Sequence, residues 1–418
     1  MAHDHPERLQ ERLKAESKEI EAVSFQPDTI YCGDCKEVLK HFPEGCVDLI
    51  YLDPPFFSNE KYEVIWNDTY EVRAYEDRWK GGINNYIAWM KERLQECHRV
   101  LKDTGSIYLH CDWHADAHLR ILMDDVFGEN NFRNEIVWHY RKWSAGWKQF
   151  QRNHDVLLFY SKTDSDKRTF TKRFMGRAPS TLKRFGDARI ISGHDEEGKR
   201  VPSQMAKESS VGVPLDDVWD IGRVPPIKQL YPTQKPEPLL ERIIDVSSNP
   251  TDIVLDPFCG CGTAILMAHK MGRRWIGIDV SPTACRLMRV RMVAKGAKSA
   301  MIIGMPKTLE DLKKLQPFEF QNWVNEKLYA RPNPKKSGDM GIDGFYLDGT
   351  PIQVKQSEGV GRNVVDNFET AIKRDGKTKG MVVAFSFGKG AYEEVARVRL
   401  EEGLEIILKT VEEILKET

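Results

Sequence analysis

The stretch "DIVLDPFCGCGTAILMAHKMG", from Asp252 to Gly272, joins an apolar strand to a helix through a glycine-rich turn. Hydrophobic residues lead into Asp256, and Gly260 and Gly262 occupy the turn. Glycines let the backbone approach a ligand at the carboxyl edge of a parallel sheet, where doubly wound folds bind cofactors. The spacing differs from the G-x-x-x-x-G-K-[ST] pattern, which disfavours a nucleoside triphosphate as the ligand.

The following strand, "RRWIGIDVS", ends in an acidic residue, Asp279, about 20 residues beyond the glycine turn. An acidic side chain at this position can accept hydrogen bonds from ribose hydroxyls. The alternative is an ordinary tight strand–helix turn followed by a surface aspartate. Because the turn and the acidic residue occur together, we favour a cofactor site.

Strands and helices alternate along most of the chain, which predicts a parallel, doubly wound sheet. The segments "NEIVWHYRK" and "HDVLLFYSK" are predicted to be two late strands, arranged as a hairpin. Between Thr163 and Leu230 the periodicity gives way to glycine, proline and charge. The predicted divisions are a charged N-terminal helix, a catalytic half, an inserted segment, a cofactor-binding half and a C-terminal domain, over residues 1–24, 25–162, 163–230, 231–304 and 305–418.

Composition limits the class of protein. The 418 residues are 40% hydrophobic and 30% charged, as in globular proteins, and no run of about 18 apolar residues could span a membrane. The charged N-terminus lacks an apolar signal core, and eight cysteines are too few for a disulfide scaffold. We therefore expect a cytoplasmic protein without a membrane partner.

The net charge of −1 conceals a basic segment. Residues 141–230 contain 18 Lys and Arg against 11 Asp and Glu. A local basic excess suits contact with a polyanion, although a basic, loop-rich surface without a partner is the alternative. Arg, Lys and Trp alternate in "HYRKWSAGWKQFQRNHD", a mixture suited to phosphate and stacking contacts with nucleic acid.

A second informative stretch is "VDLIYLDPPFFS", from Val47 to Ser58. A hydrophobic strand here ends in Asp53, two prolines and two phenylalanines. By itself this pattern fits a capped strand end with an aromatic plug.

Together, "DPPF" and the downstream "DPFCGCGT" resemble the class beta amino-methyltransferases of DNA. In that order the catalytic motif precedes the S-adenosylmethionine motif, with a target-recognition segment between them. Two further stretches carry the resemblance: "YPTQKPEPLLERII" matches the segment that flanks the cofactor, and "YCGDCKEVL" matches a G-D motif beside it. The resemblance covers roughly residues 28–295.

The resemblance implies a Rossmann-like fold, S-adenosyl-L-methionine as cofactor and double-stranded DNA as partner. It is compatible with a dimer as the oligomeric state. The implied catalytic residues are Asp53, Pro54, Pro55 and Phe56. The implied cofactor-binding residues are Asp34, Thr233, Lys235, Asp256, Phe258, Gly260, Gly262, Thr263 and Asp279.

The chemistry of a base amine explains the catalytic motif. The lone pair of an exocyclic amine is delocalised into the ring, and hydrogen bonds accepted from the NH₂ group localise it. The Asp53 carboxylate and the Pro54 carbonyl can accept these bonds, and Phe56 offers a face for a base that has left the duplex. An Asp in the first position usually accompanies adenine N6 methylation, so we favour adenine over cytosine N4. Methylation of RNA or protein is a weaker alternative.

The last hundred residues form a separate pattern. A helix over "PFEFQNWVNEKLYA" precedes a predicted hairpin, "GDMGIDGFYLDGTPIQVKQS", and then a helix and a buried strand. The segment "AYEEVARVRLEEGLEIILKTVEEILKE" is predicted to be one terminal helix. This order resembles the PD-(D/E)xK nucleases, and most closely the Mrr type of restriction endonuclease.

The nuclease resemblance implies the site residues Glu319, Asp343, Gln353 and Lys355. Asp343 and a carbonyl beside Gln353 could hold Mg²⁺, and Lys355 could position the attacking water. Gln353 stands where a second acidic residue is usual, which weakens metal binding. Two functions therefore remain open for this domain: Mg²⁺-dependent cleavage, or a DNA-binding module without chemistry.

Overall fold

A computed structural model of the chain describes residues 24–57, 61–66, 70–76, 82–142, 148–191, 199, 204–225, 227, 229, 234–297, 300–333 and 341–417. The predicted N-terminal helix, apart from Ser24, and the predicted cofactor residue Thr233 lie outside this part of the chain.

The strands and helices up to the inserted segment are β1 (Thr29–Cys32), α1 (Cys35–Leu39), β2 (Val47–Leu52), β3 (Lys61–Trp66), β4 (Tyr70–Glu76), α2 (Gly82–Val100), β5 (Leu101–Cys111), α3 (Asp116–Phe127), β6 (Phe132–His139) and β7 (His154–Ser161). The inserted segment contains β8 (Phe174–Met175), α4 (Pro179–Phe185), β9 (Ala188–Ile191), β10 (Gln204–Ser209), β11 (Val213–Pro214) and β12 (Val218–Asp220).

The cofactor half contains α5 (Glu237–Ser247), β13 (Ile253–Asp256), α6 (Thr263–Lys270), β14 (Arg274–Asp279), α7 (Pro282–Ala294) and β15 (Met301–Ile303). The C-terminal part contains α8 (Leu309–Lys314), α9 (Pro317–Lys327), β16 (Arg331–Pro332), β17 (Gly344–Phe345), β18 (Pro351–Lys355), α10 (Arg362–Arg374), β19 (Lys379–Ala384), α11 (Lys389–Glu402), β20 (Glu405–Thr410) and α12 (Val411–Glu417).

Nine strands form one twisted sheet in the order β12-β6-β7-β5-β2-β13-β14-β1-β15. All neighbours pair in parallel except β7, which runs antiparallel to both β5 and β6. The predicted hairpin of β6 and β7 and the predicted doubly wound sheet are therefore confirmed. The structure adds a hairpin, β3 with β4, that the sequence pattern did not predict.

Helices cover both faces of this sheet and bury its strands. One core lies beneath α5, α6 and α7, and the other beneath α1, α2 and α3. Strand β2 is buried at all six of its residues, which explains why five of them are hydrophobic instead of alternating with polar residues. The sixth, Asp48, pairs with the Lys102 ammonium group. Within the described residues, no helix combines the length and apolar character that a membrane crossing requires.

The inserted segment is only partly separate from the main sheet. Two short antiparallel pairs, β9 with β10 and β8 with β11, lie within it. Its last strand, β12, pairs in parallel with β6 and so forms an edge of the nine-stranded sheet. The predicted boundary at Leu230 therefore lies beyond the point where the chain rejoins this sheet.

The C-terminal part has its own five-stranded sheet, in the order β16-β17-β18-β19-β20. The predicted hairpin is present as the antiparallel pair β17 and β18, and β18, β19 and β20 are parallel. Two cores lie against its faces, one with α8, α9 and α12 and one with α10 and α11. A small α/β domain follows the main sheet, as predicted.

The prediction of one terminal helix was wrong. The segment forms α11, the strand β20 and the short helix α12. Gly403 ends α11 in the left-handed conformation, with φ of 67°, which glycine adopts without a steric cost. The following Ile406 and Ile407 then pair with β19, and Ile406 is buried.

Candidate active site

One cavity of about 460 Å³ opens at the carboxyl edge of the nine-stranded sheet. A volume in this range suits a ligand of cofactor size. Residues from the catalytic half, the cofactor half and the C-terminal part line it, among them Asp34, Asp53, Pro55, Trp89, Arg93, Lys235, Asp256, Phe258, Gly260, Thr263, Asp279, Phe318 and Glu319.

The glycine turn after β13 forms the floor of this cavity. Gly260 and Gly262 have φ of 52° and 83°, in the left-handed region that glycine tolerates. The Gly260 N–H donates to Asp279 Oδ2 at 2.8 Å, and the Ser281 N–H donates to Asp279 Oδ1 at 2.9 Å. These bonds fix the carboxyl group of Asp279 beside the turn.

Burial raises the pKa of two acidic residues of the cofactor half, Asp256 and Asp279. Desolvation raises the pKa of Asp279 to about 6, although the two backbone donors oppose this rise. Desolvation also raises the pKa of Asp256 well above its ordinary value, and the nearby carboxylates of Asp53 and Asp279 add to the rise. Both groups therefore lie in a site shielded from water, where a cation or a hydrogen-bond donor would stabilise their charged forms.

The remaining predicted cofactor residues divide into two sets. Asp34, Lys235, Phe258 and Thr263 line the cavity, as do Asp256, Gly260 and Asp279. Gly262 does not line it, and a side chain there would meet Met288 Cγ at 2.9 Å. Its role is therefore to let α6 begin close to α7.

An arginine that the motifs did not reveal holds Asp34 in place. Asp34 caps α1 by accepting from the Lys36 N–H at 2.9 Å, and its Oδ2 pairs with Arg93. The Arg93 guanidinium lies 3.7 Å from the centre of the Trp89 ring and is buried. The sequence feature that could have indicated this role is that Arg93 is a charged residue on the buried face of α2, together with Met90 and Leu94.

Asp53, at the end of β2, shares the cavity with the glycine turn. Its Oδ2 pairs with the ammonium group of Lys235, and both side chains are largely buried. Its Oδ1 is buried, has no hydrogen-bond partner in the described part of the chain, and lies 3.6 Å from His110 Nδ1. A carboxylate oxygen retains lone pairs, so Oδ1 keeps acceptor capacity.

The three residues after Asp53 occupy different positions. Pro55 lines the cavity, and its carbonyl accepts from the Tyr86 hydroxyl at 2.7 Å. Pro54 is buried and Phe56 is half-buried, and neither lines the cavity. The Phe56 ring instead lies 5.3 Å from the His110 ring and 5.1 Å from Lys235 Nζ.

Behind Asp53 lies a buried polar network that the motifs also missed. His110 is fully buried, with Nδ1 3.0 Å from the Tyr51 hydroxyl and Nε2 3.3 Å from Asp155 Oδ2. The Tyr140 hydroxyl donates to Asp155 Oδ1 at 2.8 Å. Burial opposes ionisation of Asp155, but the hydrogen bonds from His110 and Tyr140 lower its pKa overall. The sequence feature that could have indicated this network is a histidine near the end of β5 and an aspartate near the start of the adjacent strand β7.

The C-terminal hairpin brings three of the predicted nuclease residues together. The Asp343 carboxylate accepts from the Val354 N–H at 2.7 Å and from Gln321 Nε2 at 2.5 Å. Gln353 and Lys355 flank Val354 and share a face of β18. Gln353 is buried, and its Oε1 has no hydrogen-bond partner within the described residues.

Glu319 does not join that group. Its carboxyl accepts from the Ser281 hydroxyl and from Thr283 Oγ1, the latter at 3.2 Å, and it lines the cavity of the main sheet. Glu319 and Gln321 lie on opposite sides of α9, because two residues span about 200° of a helix. The structure therefore directs Glu319 away from Asp343, contrary to the prediction.

Comparison with known proteins agrees with this geometry. A family model described as a DNA methylase of the N6/N4 type matches residues 47–290, more than half of the chain. The chain belongs to this DNA methylase family. A second model, described as a restriction endonuclease of the Mrr catalytic type, matches residues 312–416. The resemblance predicted from the motifs is confirmed for both parts, and the family uses S-adenosyl-L-methionine.

Two curated relatives show the extent of similarity. This methylase is 33% identical over 259 residues to the DNA adenine methyltransferase YhdJ of Escherichia coli, which covers 60% of this chain and 78% of the relative. It is 29% identical over 265 residues to the type II methyltransferase M.HinfI of Haemophilus influenzae, which covers 60% of this chain and 64% of the relative.

Solved structures resemble the methylase part at lower identity. A Thermus thermophilus protein assigned as a DNA modification methylase, in complex with S-adenosyl-L-methionine, has a TM-score of 0.42 at 19% identity. It covers 66% of this methylase and 99% of its own chain. The cytosine-N4-specific PvuII DNA methyltransferase has a TM-score of 0.42 at 14% identity, covering 66% and 97%.

Proposed function

We propose that this chain methylates adenine N6 in double-stranded DNA, with Asp53 as the group that receives the base. The observation that supports this most directly is that Asp53 and the glycine turn at Gly260 line one cavity. The catalytic motif and the cofactor motif lie far apart in sequence, and only the folded sheet brings them together. Such proximity is what a direct transfer between two bound molecules requires.

The polar and aromatic residues that line the cavity fit S-adenosyl-L-methionine. Asp279, held by two backbone donors, would accept from ribose hydroxyls, and Phe258 lines the same cavity. Arg93 and Lys235 line the cavity as well, each paired with an aspartate, and the acidic residues suit a cationic centre. When bound, the cofactor supplies a methyl group attached to a sulfonium.

Asp53 would accept a hydrogen bond from the amine of a flipped base and so concentrate the nitrogen lone pair. Lys235 pairs with Oδ2 of this carboxylate. The other oxygen, Oδ1, retains lone pairs that can accept a hydrogen bond. The amine becomes acidic only when a fourth substituent arrives, so the group that receives its proton need not be a strong base. No covalent intermediate with the protein is required.

The His110 network would hold Asp53 in position. His110 is packed between Tyr51 and Asp155, and its Nδ1 approaches Asp53 Oδ1. A buried network of this kind restricts the rotamers of the group that it surrounds. We expect His110 to act through Asp53 rather than through the base.

An exposed aromatic and basic surface beside the cavity would bind the DNA. Trp113 is half exposed and follows β5, and the Arg152 guanidinium lies 3.7 Å from the centre of its ring. Phe150 is almost fully exposed nearby in sequence, and Arg141 and Lys142 are exposed at the end of β6. All lie at the edge of the sheet where Asp53 opens. Trp143 and Trp147 of the same stretch lie outside the described residues.

Two lines of support favour adenine as the base. The first motif position is Asp53 rather than serine, and the relative YhdJ is described as a DNA adenine methyltransferase. Cytosine N4 is the alternative, because the family includes both chemistries. The test is transfer of a labelled methyl group to duplex DNA, followed by nucleoside digestion and mass spectrometry. N6-methyladenine is expected, and N4-methylcytosine would refute the choice of base.

For the C-terminal domain we propose Mg²⁺-dependent cleavage of DNA, in a restriction–modification context. Two observations favour it: Gln353 Oε1 is buried and has no hydrogen-bond partner among the described residues, and the Asp343 carboxylate accepts from the N–H of the adjacent Val354. Oxygen donors of this kind suit Mg²⁺, which keeps several waters and needs only one or two carboxylates. Asp343 and Gln353 would hold the ion, which would act as a Lewis acid, and Lys355 would position the water.

Replacing Asp343 by Ala should remove Mg²⁺-dependent cleavage of plasmid DNA without changing methyl transfer. The measurement is the rate of nicking and linearisation with Mg²⁺, with the methylation rate of the same preparation as control. Equal cutting by the variant would refute the metal assignment. Absence of cutting by the unaltered protein would instead favour a DNA-binding module.

A further inference from the structure

The cavity that holds the glycine turn has one wall that the methylase motifs do not supply. This wall runs from the last residue of α8 to the first turn of α9, and its lining residues are Lys314, Leu315, Gln316, Phe318 and Glu319. These residues lie within the segment 312–416 that matches the restriction endonuclease family. The C-terminal domain thus contributes directly to the space proposed for the cofactor.

Glu319 is built into this wall. It is 4% exposed, and both of its carboxyl oxygens accept from hydroxyls of the cofactor half, those of Ser281 and Thr283. Ser281 also donates its N–H to Asp279, so one residue touches both carboxyl groups. Burial raises the pKa of Glu319 to about 7, and the charge of Asp279 contributes to the rise.

The carboxyl groups of Asp279 and Glu319 are suited to accept hydrogen bonds from a vicinal diol. A ribose presents two adjacent hydroxyl donors, and Asp279 alone already accepts from two backbone N–H groups. Glu319 offers a second acceptor beside it, because each carboxylate oxygen has more than one lone pair. The half-buried Phe318 ring, in the same wall, offers a face on which a purine could stack.

The helix α9 is anchored to the methylase part from this same side. Glu326, seven residues after Glu319 and therefore on the same face, pairs with Arg286 of α7. The opposite face of α9 contacts the nuclease-like hairpin, because Gln321 Nε2 and Asn325 Nδ2 donate to Asp343. One helix therefore lies against both sites.

We infer that the S-adenosyl-L-methionine site is composite, with Phe318 and Glu319 of the C-terminal domain contacting the adenosine part of the cofactor. The inference rests on the proposed occupation of this cavity by the methyl donor. Cofactor binding then requires α9 to be docked, and a bound cofactor in turn holds α9 in place.

The test is calorimetric binding of S-adenosylhomocysteine to the full-length protein and to three variants. Phe318→Ala and Glu319→Gln should each weaken binding at least tenfold. Lys327→Ala, on the same helix but outside the cavity lining, should leave the dissociation constant within about twofold. Thermal unfolding of each variant checks that the chain remains folded.

A second measurement needs no variant. Hydrogen–deuterium exchange of residues 317–327 in the unaltered protein should slow when S-adenosylhomocysteine is added. Unchanged exchange there, or equal affinity in all three variants, would overturn the composite site while leaving cofactor binding established. A protein that fails to bind S-adenosylhomocysteine at all would instead overturn the proposed function, and the composite site with it.

Discussion

Replacing Asp53 by Asn is expected to separate catalysis from stability at the centre of the site. The substitution keeps the shape of the side chain and removes its charge. Asp53 and Lys235 are 14% and 9% exposed, so the ion pair between them is shielded from water. Removing one member of a buried pair leaves the other charge uncompensated, which costs about 3–5 kcal/mol of unfolding free energy.

The effect on rate has a different origin. The base amine would lose a charged acceptor that is already in place when the nitrogen reacts, and losing one preorganised partner of this kind slows turnover by about a hundredfold to a thousandfold. Asp53→Asn should therefore reduce methyl transfer by that factor. Binding of S-adenosylhomocysteine should remain largely intact, because the groups proposed to bind it are unchanged.

The double variant Asp53→Asn with Lys235→Met provides the control. Lys235→Met alone should be destabilised by a similar amount, since it leaves the carboxylate without its partner. Together the two substitutions replace the ion pair by uncharged groups and should recover most of the stability, while methyl transfer remains slow. The assays are urea unfolding and single-turnover transfer of a labelled methyl group to duplex DNA. Transfer by folded Asp53→Asn within threefold of the unaltered rate would refute the catalytic role of Asp53.

Three further predictions test the surroundings of the site. His110→Gln should lower turnover about tenfold with unchanged affinity for S-adenosylhomocysteine, because it disturbs only the support of Asp53; a parallel loss of affinity would contradict this. Gly277→Ala should destabilise the fold by about 1–3 kcal/mol in urea unfolding, because the added methyl would meet Cys259 Sγ at 2.9 Å. The raised pKa of Glu319 means that the folded state binds more protons than the unfolded state between about pH 4.5 and 7. Its contribution to stability therefore falls with rising pH across that window, and Glu319→Gln should flatten this part of the pH–stability profile.

The sequence alone determined the sheet and the convergence of its motifs. Asp53, Asp256 and Asp279 each end a hydrophobic strand, and the carboxyl ends of parallel strands meet at one edge. Their presence at one cavity could therefore be predicted from local patterns. The sequence did not indicate the break at Gly403, because the charged periodicity of α11 continues past it into β20. The conformation of β20 is decided by its pairing with β19.

Only the tertiary structure decided which side chains meet across elements. Lys235 reaches Asp53 from 182 residues away, Arg93 reaches Asp34 from α2, and Glu319 turns toward the cofactor cavity rather than toward Asp343. Spacing along a chain sets the face that a residue occupies on its own helix or strand. It does not set which neighbour packs against that face, since this depends on how whole helices and sheets fit together to exclude water.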